Sequence, residues 1–314
     1  MDKKARIYVA GHRGMVGSAI VRELKRQGHQ NLTERTSAEL DLRNQAAVED
    51  FFKEERPEYV FMAAAKVGGI MANMRGQAEF LMENLRMQCN VIDFAYRYDV
   101  KKLLFIGSSC IYPKEAGQPM SESELLAGLP EPTNEGYAIA KIAGLKLCEY
   151  YNKQYGADFV SLMPCNLYGR NDNFDLETSH MLPALIRRFH EAKMNNADIV
   201  SVWGTGKVYR ELLFADDLAE ACVFVMNNYS GADFLNVGYG GDFTVAEIAE
   251  TVKEVVGFKG GVIYDTSKPD GMFRKLLDSG RMNGLGWKPK TTLRKGIELT
   301  YDWYVKNAGN VRKG

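Results

Sequence analysis

A tyrosine and a lysine four positions apart are the clearest pair of reactive side chains in the sequence. Residues 137–141 read YAIAK, and on a helix Tyr137 and Lys141 share one face. A lysine ammonium beside a phenol favours the phenolate and lowers the pKa of the phenol toward neutrality. Such a tyrosine can exchange a proton with a carbinol oxygen while hydride moves at the attached carbon. The pair indicates redox chemistry at a carbinol, although the same spacing also occurs on ordinary helix surfaces.

A second reactive stretch, GSSC at residues 107–110, directly follows a run of apolar residues. Ser108 is placed to hydrogen-bond the same substrate oxygen as Tyr137, and we interpret Ser109 as a turn hydroxyl. Cys110 permits two interpretations. Hydrogens on the carbons beside a ketone are acidic, so a thiolate in an electropositive setting could remove them; otherwise the cysteine is a small buried residue.

A glycine-rich stretch, GHRGMVG at residues 11–17, lies between a predicted strand and a predicted helix. Its glycines allow a tight turn, a close approach of phosphate to the backbone, and close packing of the helix on the strand. The helix N-terminus then offers free N–H groups to a pyrophosphate. The pattern G-x-x-G-x-x-G in this context predicts a dinucleotide site and is typical of the extended short-chain dehydrogenase/reductase superfamily.

Two arginines suggest which dinucleotide binds. Arg13 lies inside the glycine loop, and Arg35 follows the second strand where an acidic residue would contact a ribose 2′-hydroxyl. Arginines at these positions suit a 2′-phosphate and favour NADP(H). Glu34, beside Arg35, leaves NAD as an alternative.

The first half of the chain alternates short apolar runs with helical periods. The predicted elements are strands at 5–10, 31–34, 58–64, 101–107 and 158–163, helices at 15–27, 77–98 and 137–155, and a helix after the second strand with Asp41 as its N-cap. Strands joined by single helices imply right-handed crossovers and a parallel sheet covered on both faces. The sequence therefore predicts an α/β fold with a Rossmann-like, doubly wound parallel sheet.

The rhythm changes after about residue 170. Helices are predicted near 181–194, 216–228, 244–256 and 293–307, with strands at 199–204, 234–238 and 261–265. We interpret residues 1–170 as a nucleotide-binding domain, to whose sheet some later segments return. Residues 171–314 are interpreted as a smaller C-terminal α/β substrate-binding part.

The composition tells against several classes of protein. Forty basic residues balance forty acidic ones, which argues against a general binder of nucleic acid or of membrane surfaces. The N-terminus lacks a secretion signal, and the longest apolar stretch is too short to span a bilayer. Five scattered cysteines without a C-x-x-C pair indicate free thiols in a reducing cytoplasm. The histidines show no metal-ligand spacing, so no metal is expected.

Seven segments, taken in order, resemble the GDP-L-fucose synthase family of that superfamily. They are AGHRGMVGSAI, AAAKVGGI, GSSCIYPK, EPTNEGYAIAKIAG, NLYG, SHMLPALIRRFHEA and SKPDG, and the resemblance extends from about residue 5 to about residue 305. It implies an NADPH-dependent 3,5-epimerase and 4-reductase acting on the GDP-sugar GDP-4-keto-6-deoxy-D-mannose. It also implies a homodimer, for which helices 77–98 and 137–155 are the expected interface.

The resemblance implies a role for each reactive side chain. Ser108, Tyr137 and Lys141 would form the reductase triad. Cys110 would be the base of the epimerisations, and His180 the acid that reprotonates the enolate. From the residues alone, His180 is either a polar residue at a helix start or an acid whose near-neutral pKa suits that step.

The resemblance also implies two binding sets. The cofactor set comprises Gly11, Arg13, Gly14, Met15, Val16, Gly17, Arg35, Asp41, Leu42, Ala64, Ile106, Gly107, Ser108, Lys141, Pro164, Asn166, Leu167 and His180. The substrate set comprises Ser109, Asn166, Arg188, Trp203, Arg210 and Asp270. The two arginines of the substrate set suit a diphosphate, Trp203 offers a wall for guanine or sugar, and Asp270 is expected near the ribose.

Two positions depart from the pattern of the family. Cys165 stands where threonine is common, and Ser37 stands where a second arginine can occur. The first change exchanges one small residue for another but could alter the nicotinamide side of the site. The second weakens the argument for a 2′-phosphate, so the expected preference for NADP is not absolute.

The rival interpretations keep the fold and change the chemistry. Another sugar-nucleotide 4-epimerase or reductase would leave Cys110 and His180 without a role, and a dehydratase would carry an acidic pair after the fourth strand. A dinucleotide-binding protein without activity could lose Tyr137 or Lys141, and both are present.

Overall fold

The computed structural model describes residues 1–268 and 270–309. The strands are β1 Ile7–Ala10, β2 Leu32–Thr33, β3 Tyr59–Met62, β4 Lys102–Ile106, β5 Phe159–Pro164, β6 Asn166–Tyr168, β7 Ile199–Trp203, β8 Tyr209–Arg210, β9 Leu212–Phe214, β10 Leu235–Val237, β11 Phe243–Thr244 and β12 Gly261–Asp265. The helices are α1 Met15–Arg26, α2 Gln45–Glu55, α3 Ile70–Arg75, α4 Gln77–Arg97, α5 Glu135–Tyr155, α6 Met181–Met194, α7 Ala215–Asn228, α8 Val245–Val256, α9 Gly280–Gly284 and α10 Leu293–Asn307.

Six parallel strands form the central sheet, in the order β2-β1-β3-β4-β5-β10. The chain moves outward from β1 in both directions, so the strand order reverses between β1 and β3. Open α/β sheets bind their ligands outside the carboxyl ends of the strands at such a reversal. This confirms the predicted fold class and locates the crevice between the ends of β1 and β3.

The strands of the central sheet carry apolar side chains on both faces, so both faces must be covered. Every residue of β1, β4 and β5 is buried, as continuous apolar runs in parallel sheets require. Helix α7 covers one face beside α1, and Arg22 of α1 donates to both carboxylate oxygens of Asp216 in α7 at 2.9 and 3.0 Å. Helices α4 and α5 pack against each other.

A second hydrophobic core lies in the C-terminal half. It is built from α6, α8, α10 and β7, with Ile186, Phe189, Val202, Ile248 and Ile297 at its centre. Helix α8 is closed at both ends, by a capping box between Thr244 and Glu247 and by Gly257 in the left-handed region. Strand β7 exposes alternate residues, so one of its faces remains open to a ligand.

The chain returns to the central sheet after residue 170. Strand β10 pairs in parallel with β5, with Leu235 opposite Leu162, and α7 packs on the N-terminal half. The sequence anticipated such a return, and the division at residue 170 remains a prediction.

Most element bounds agree with the sequence within one or two residues, and two features differ. The N-cap of α2 is Asn44, whose side chain accepts from the N–H of Ala47 at 3.3 Å, so the prediction of Asp41 was wrong. Asp41 instead accepts from the N–H and the guanidinium of Arg43. The sequence also gave no indication of α3, α9, β6, β8, β9 or β11, which are too short to show a period.

Candidate active site

The glycine loop closes tightly between β1 and α1. The N–H of Gly14 donates to the carbonyl of Gly11 at 2.9 Å, and Gly11 has φ +82°. A Cβ at Gly17 would lie 2.1 Å from the carbonyl oxygen of Gly11, so any larger residue would push the helix away from the loop. Met15 and Val16 form the first turn of α1, whose free N–H groups face the crevice between β1 and β3.

The other predicted cofactor residues follow the carboxyl ends of neighbouring strands. Ala64 comes after β3, Ile106 and Gly107 end β4, and Pro164, Asn166 and Leu167 lie at the end of β5 and in β6. A Cβ at Gly11 would lie 2.8 Å from the Cα of Ala64, which shows how closely the ends of β1 and β3 approach. The structure therefore brings this part of the cofactor set to one edge of the sheet.

Residues after β2 form the outer end of this edge. Arg35 pairs with Glu55 of α2, and Asp41 pairs with Arg43. Glu34 is engaged elsewhere, because Lys25 Nζ lies 3.2 Å from its Oε1 and His12 Nε2 lies 3.9 Å from its Oε2. Leu42 is buried in the core. The roles of these residues toward a cofactor remain predictions.

The GSSC stretch forms a single 3-10 turn at the end of β4. Ser108 is its N-cap, and its hydroxyl accepts from the N–H of Cys110 at 3.3 Å. A Cβ at Gly107 would lie 2.2 Å from the sulfur of Met163, so a larger residue there would require the Met163 side chain to shift. Ser109 and Cys110 are buried on this turn, and Ser108 is half-buried. The turn therefore directs Ser108 and Cys110 toward helix α5.

Tyr137 and Lys141 lie on α5 beside this turn. Lys141 Nζ donates to the carbonyl of Ile106 at 2.7 Å and lies 5.8 Å from the centre of the Tyr137 ring. Burial lowers the pKa of Lys141 to about 8, against the nearby Cys110 thiol, which raises it. The predicted triad of Ser108, Tyr137 and Lys141 is thus brought together.

The expected lowering of the Tyr137 pKa is not found. Burial raises the pKa of this phenol above its ordinary value, the nearby Cys110 adds to the rise, and a hydrogen bond with Ser108 opposes it. Lys141 directs its ammonium to a main-chain carbonyl rather than to the phenol oxygen. Tyr137 is therefore protonated near neutral pH, which is the form that can donate a proton.

Cys110 is surrounded by groups that act on its ionisation. Burial raises the pKa of the thiol, whereas the charge of Lys275, a hydrogen bond with Ser108 and the charge of Lys141 lower it. Burial outweighs the two cations, so the pKa of the thiol stays above its ordinary value, and the two interpretations left open by the sequence both remain.

His180 is the N-cap of α6 and is exposed. The pKa of its imidazole is lowered, because surrounding protein atoms displace water and because Lys275 adds positive charge. A main-chain bond from Gly69 to the carbonyl of Thr178 at 2.9 Å anchors the segment that carries it. His180 and Cys110 thus respond to the same lysine.

Lys275 is a charged residue of the candidate site that sequence reasoning did not single out. It is half-buried, and the pKa of its ammonium is lowered by burial and by Arg210 and raised by Cys110, Cys165 and Glu131. A lysine four residues after the SKPDG segment was the available signal, but nothing in its spacing distinguished it from a surface charge.

The first substrate pair, Arg188 and Trp203, lies at the open face of β7. The guanidinium of Arg188 is 5.0 Å from the centre of the Trp203 ring and donates to the carbonyl of Ser201 at 3.3 Å. Both residues line an open cavity of about 400 Å³, and 47% of Trp203 is exposed. A flat apolar wall beside a cation suits an aromatic base joined to a diphosphate.

Arg210 makes hydrogen bonds within the protein in addition to any contact with a ligand. Its Nη1 donates to the carbonyls of Tyr209 and Met272 at 2.6 and 2.7 Å, and its Nη2 donates to the carbonyl of Asp270 at 2.9 Å. These bonds use three of its five N–H groups. Both carboxylate oxygens of Asp270 accept from Thr205, at 2.7 and 2.8 Å, so this side chain closes the segment onto the turn after β7.

Asn166 joins the two halves of the site. It begins β6, whose partner β9 places Leu212 opposite it, and it follows Cys165, whose N–H donates to the carbonyl of Val237 at 3.1 Å. The structure therefore places the substrate set in two groups: Ser109 and Asn166 lie at the sheet edge, and the other four lie in the C-terminal half. Their contacts with substrate remain predictions.

Two further properties concern residues 1–268 and 270–309. Within them, no group of three or more His, Cys, Asp and Glu side chains could hold a metal ion. None of the described helices is both long enough and apolar enough to cross a membrane.

Comparison with known proteins agrees with this geometry. Residues 7–238 match the model of the NAD dependent epimerase/dehydratase family. GDP-L-fucose synthase 1 of Arabidopsis thaliana is 60% identical over 98% of this chain and 96% of its own length. GDP-L-fucose synthase of Escherichia coli K12 is 53% identical over 98% and 99%. A solved GDP-L-fucose synthetase of Naegleria fowleri bound to NADP superposes with a TM-score of 0.93 at 28% identity, covering 100% of this chain and 98% of its own.

Proposed function

The chain belongs to the NAD dependent epimerase/dehydratase family and, within it, to the GDP-L-fucose synthases, and we propose that its reactive side chains divide into an epimerase group and a reductase group. The protein converts GDP-4-keto-6-deoxy-D-mannose to GDP-L-fucose by epimerisation at C3 and C5 and NADPH-dependent reduction at C4. The observation that carries the proposed division is that Cys110 lies beside Ser108 and Tyr137, so both chemistries share one substrate position.

The residues present fit NADPH. The loop around Gly11 and Gly17 leaves a cradle that a single added Cβ would fill, and Arg13 and Arg35 follow the ends of β1 and β2. Glu34, the residue that would favour an unphosphorylated ribose, is flanked by Lys25 and His12 instead. When bound, NADPH supplies the hydride for C4.

The epimerase group consists of Cys110 and His180. The C4 ketone acidifies the protons at C3 and C5, and Cys110 as thiolate removes one, breaking the C–H bond and leaving an enolate. His180 as imidazolium delivers a proton to the other face of that carbon. In the protein alone, displaced water and the charge of Lys275 lower the pKa of His180, and a negatively charged substrate nearby would oppose this lowering.

The reductase group consists of Ser108, Tyr137 and Lys141. Ser108 hydrogen-bonds the C4 oxygen, and Tyr137, which burial keeps protonated, gives its proton to that oxygen as hydride arrives at carbon. Lys141 holds its charge near the phenolate that results, and its bond to Ile106 fixes it there.

A Cys110→Ala variant in deuterated water tests this division. With the ketosugar and NADPH, the unmodified protein yields product deuterated at C3 and C5. The variant is expected to oxidise NADPH while leaving these positions without deuterium. Cys148→Ala, at a buried cysteine eleven residues further along α5 than Tyr137, is the matched control and should behave as the unmodified protein. Normal deuterium exchange at C3 and C5 in Cys110→Ala would contradict the proposal and indicate that Cys110 only packs in the protein interior.

The homodimer and the cytoplasmic location also belong to this proposal. Helices α4 and α5 pack side by side and expose Met82, Tyr96, Ile139 and Tyr150 on their outer surface. Apolar side chains in such a patch indicate a contact with another copy. The five free cysteines suit a reducing compartment.

A further inference from the structure

Glu211 is a buried carboxylate that holds together two segments of the active site. It lies between β8 and β9, and none of its surface is exposed. Its Oε1 accepts from the N–H of Gly240 at 2.9 Å, and its Oε2 accepts from the N–H of Leu277 at 2.9 Å. Each of its oxygens therefore satisfies a main-chain donor of a different segment.

Both segments carry groups of the site. Leu277 is two residues from Lys275, the cation that acts on Cys110 and His180. Gly240 follows β10, whose Val237 accepts the main-chain bond of Cys165 beside Asn166. Gly238 approaches Glu211 so closely that a Cβ there would lie 2.2 Å from its Oε1. The carboxylate is thus a direct bridge between the end of the sheet and the segment of Lys275.

The segment of Lys275 depends on strand β8 and its neighbour for its position. Main-chain bonds join Tyr209 to Phe273 at 2.8 Å and Glu211 to Lys275 at 3.4 Å. Arg210 holds the start of the same segment through Asp270 and Met272. The side chain of Glu211 holds the end of this segment at Leu277, beyond the last of these main-chain hydrogen bonds.

We propose that Glu211 is a positioning residue that fixes Lys275 against Cys110, so that the thiol can ionise. The inference rests on the role proposed for Cys110. Removing one acceptor from a buried carboxylate leaves a main-chain N–H unpaired, and the segment moves to satisfy it. Lys275 then leaves the thiol, whose remaining charged neighbour is Lys141 and whose hydrogen-bond partner is Ser108.

The pKa of Glu211 reflects both its burial and its main-chain hydrogen bonds. Burial raises its pKa to about 7 and nearby Asp242 adds to the rise, whereas the N–H groups of Gly240, Leu277 and Tyr239 oppose it. These main-chain donors therefore act against burial and favour the charged form of the side chain.

The test compares Glu211→Gln with a matched control. Asp217 is also buried, and its carboxylate accepts from the N–H groups of Lys290 and Thr291 at 3.0 and 2.8 Å, in a segment that carries none of the proposed catalytic residues. Asp217→Asn therefore reproduces the loss of a buried acceptor without the proposed effect on the thiol. Lys275→Met removes the cation directly.

The first readout is the pH at which Cys110 is half-alkylated by iodoacetamide, followed on its own peptide by mass spectrometry. It needs no substrate, so it stands even if the proposed division of the reaction fails. Glu211→Gln and Lys275→Met are expected to raise this midpoint by about 1 pH unit, because a thiolate loses a nearby cation. Asp217→Asn should keep the native midpoint.

The second readout separates substrate from cofactor. Glu211→Gln should raise the KM for the ketosugar about tenfold and leave the KM for NADPH within about twofold. A Glu211→Gln variant with the lowered melting temperature of Asp217→Asn but a native alkylation midpoint would overturn the proposal, as would a native midpoint in Lys275→Met. If Glu211→Gln does not fold, Glu211→Asp is tested in its place. We expect it to raise the alkylation midpoint of Cys110 by less than about 1 pH unit, and an unchanged midpoint would contradict the proposal.

Discussion

Lys141 donates from its buried ammonium to the carbonyl of Ile106 at 2.7 Å, and this bond joins helix α5 to the last residue of strand β4. The two elements carry the two halves of the reductase triad, Tyr137 on one and the residues before Ser108 on the other. The same lysine therefore brings a positive charge to the triad and joins the two elements that carry it.

The first prediction concerns the alkaline limb of the pH profile. Burial lowers the pKa of Lys141 to about 8, so the ammonium loses its proton as the pH rises through that value. We expect kcat for NADPH oxidation to fall about tenfold per pH unit above it. In Lys141→Arg the side chain keeps its positive charge at high pH. The alkaline limb of kcat for this variant should therefore shift to higher pH, even if its maximal kcat is lower.

Solvent deuterium exchange at C3 and C5, recorded over the same pH range, separates this limb from the titration of Cys110 and His180. An alkaline limb that stays in place in Lys141→Arg would assign it to another group.

The second prediction concerns the glycine loop. Gly17→Ala places a methyl group 2.1 Å from the carbonyl of Gly11, so the start of α1 must move. We expect NADPH affinity to fall at least about tenfold, because the phosphates lose N–H donors. Fluorescence titration with NADPH measures this. Gly284→Ala is the control, since a Cβ there meets no atom within 4 Å; equal affinities in the two variants would contradict the prediction.

The third prediction concerns the choice of cofactor. Arg35→Ser removes a guanidinium at the end of β2 and should raise the KM for NADPH about tenfold while leaving that for NADH nearly unchanged. Glu55→Gln releases Arg35 from its ion pair and should leave the KM for NADPH unchanged or lower it. Steady-state kinetics with both cofactors distinguish these outcomes. A parallel rise for NADPH and NADH in Arg35→Ser would remove this residue from the 2′-phosphate site.

The fourth prediction concerns the dimer. Ile139→Lys places a charge in the exposed apolar face of α4 and α5 and should convert dimers to monomers in light scattering. Leu129→Lys changes an even more exposed leucine on a loop, and its mass should equal that of the unmodified protein. An unchanged mass for Ile139→Lys would place the interface elsewhere.

Sequence patterns predicted the helices and strands with a clear apolar periodicity and the reactive residues that directly follow a strand. The order of strands and helices followed from apolar periods, and the positions of Ser108 and Cys110 followed from the end of β4. The role of Asp41 did not, because Asp41 and Asn44 are equally good N-caps in a sequence and only the helix start distinguishes them.

Contacts between segments that are distant in the chain could not be predicted from the sequence. The charge of Lys275 acts on Cys110 from 165 positions away in the sequence, and Arg210 and Glu211 hold the segment that carries it. No local pattern of the sequence indicates this arrangement. The raised pKa of Tyr137 was missed because spacing showed a lysine on the same face but not the burial of the phenol, which is the main cause of the rise.

The pairing of β10 with β5 has a consequence for synthesis. A ribosome must translate to Val237 of the 314 residues before the last strand of the central sheet exists. Until then the main-chain groups of β5, from Leu162 to Pro164, form an open edge that could pair with another nascent chain. Truncated products that end before β10 should therefore aggregate rather than accumulate as a folded nucleotide-binding fragment.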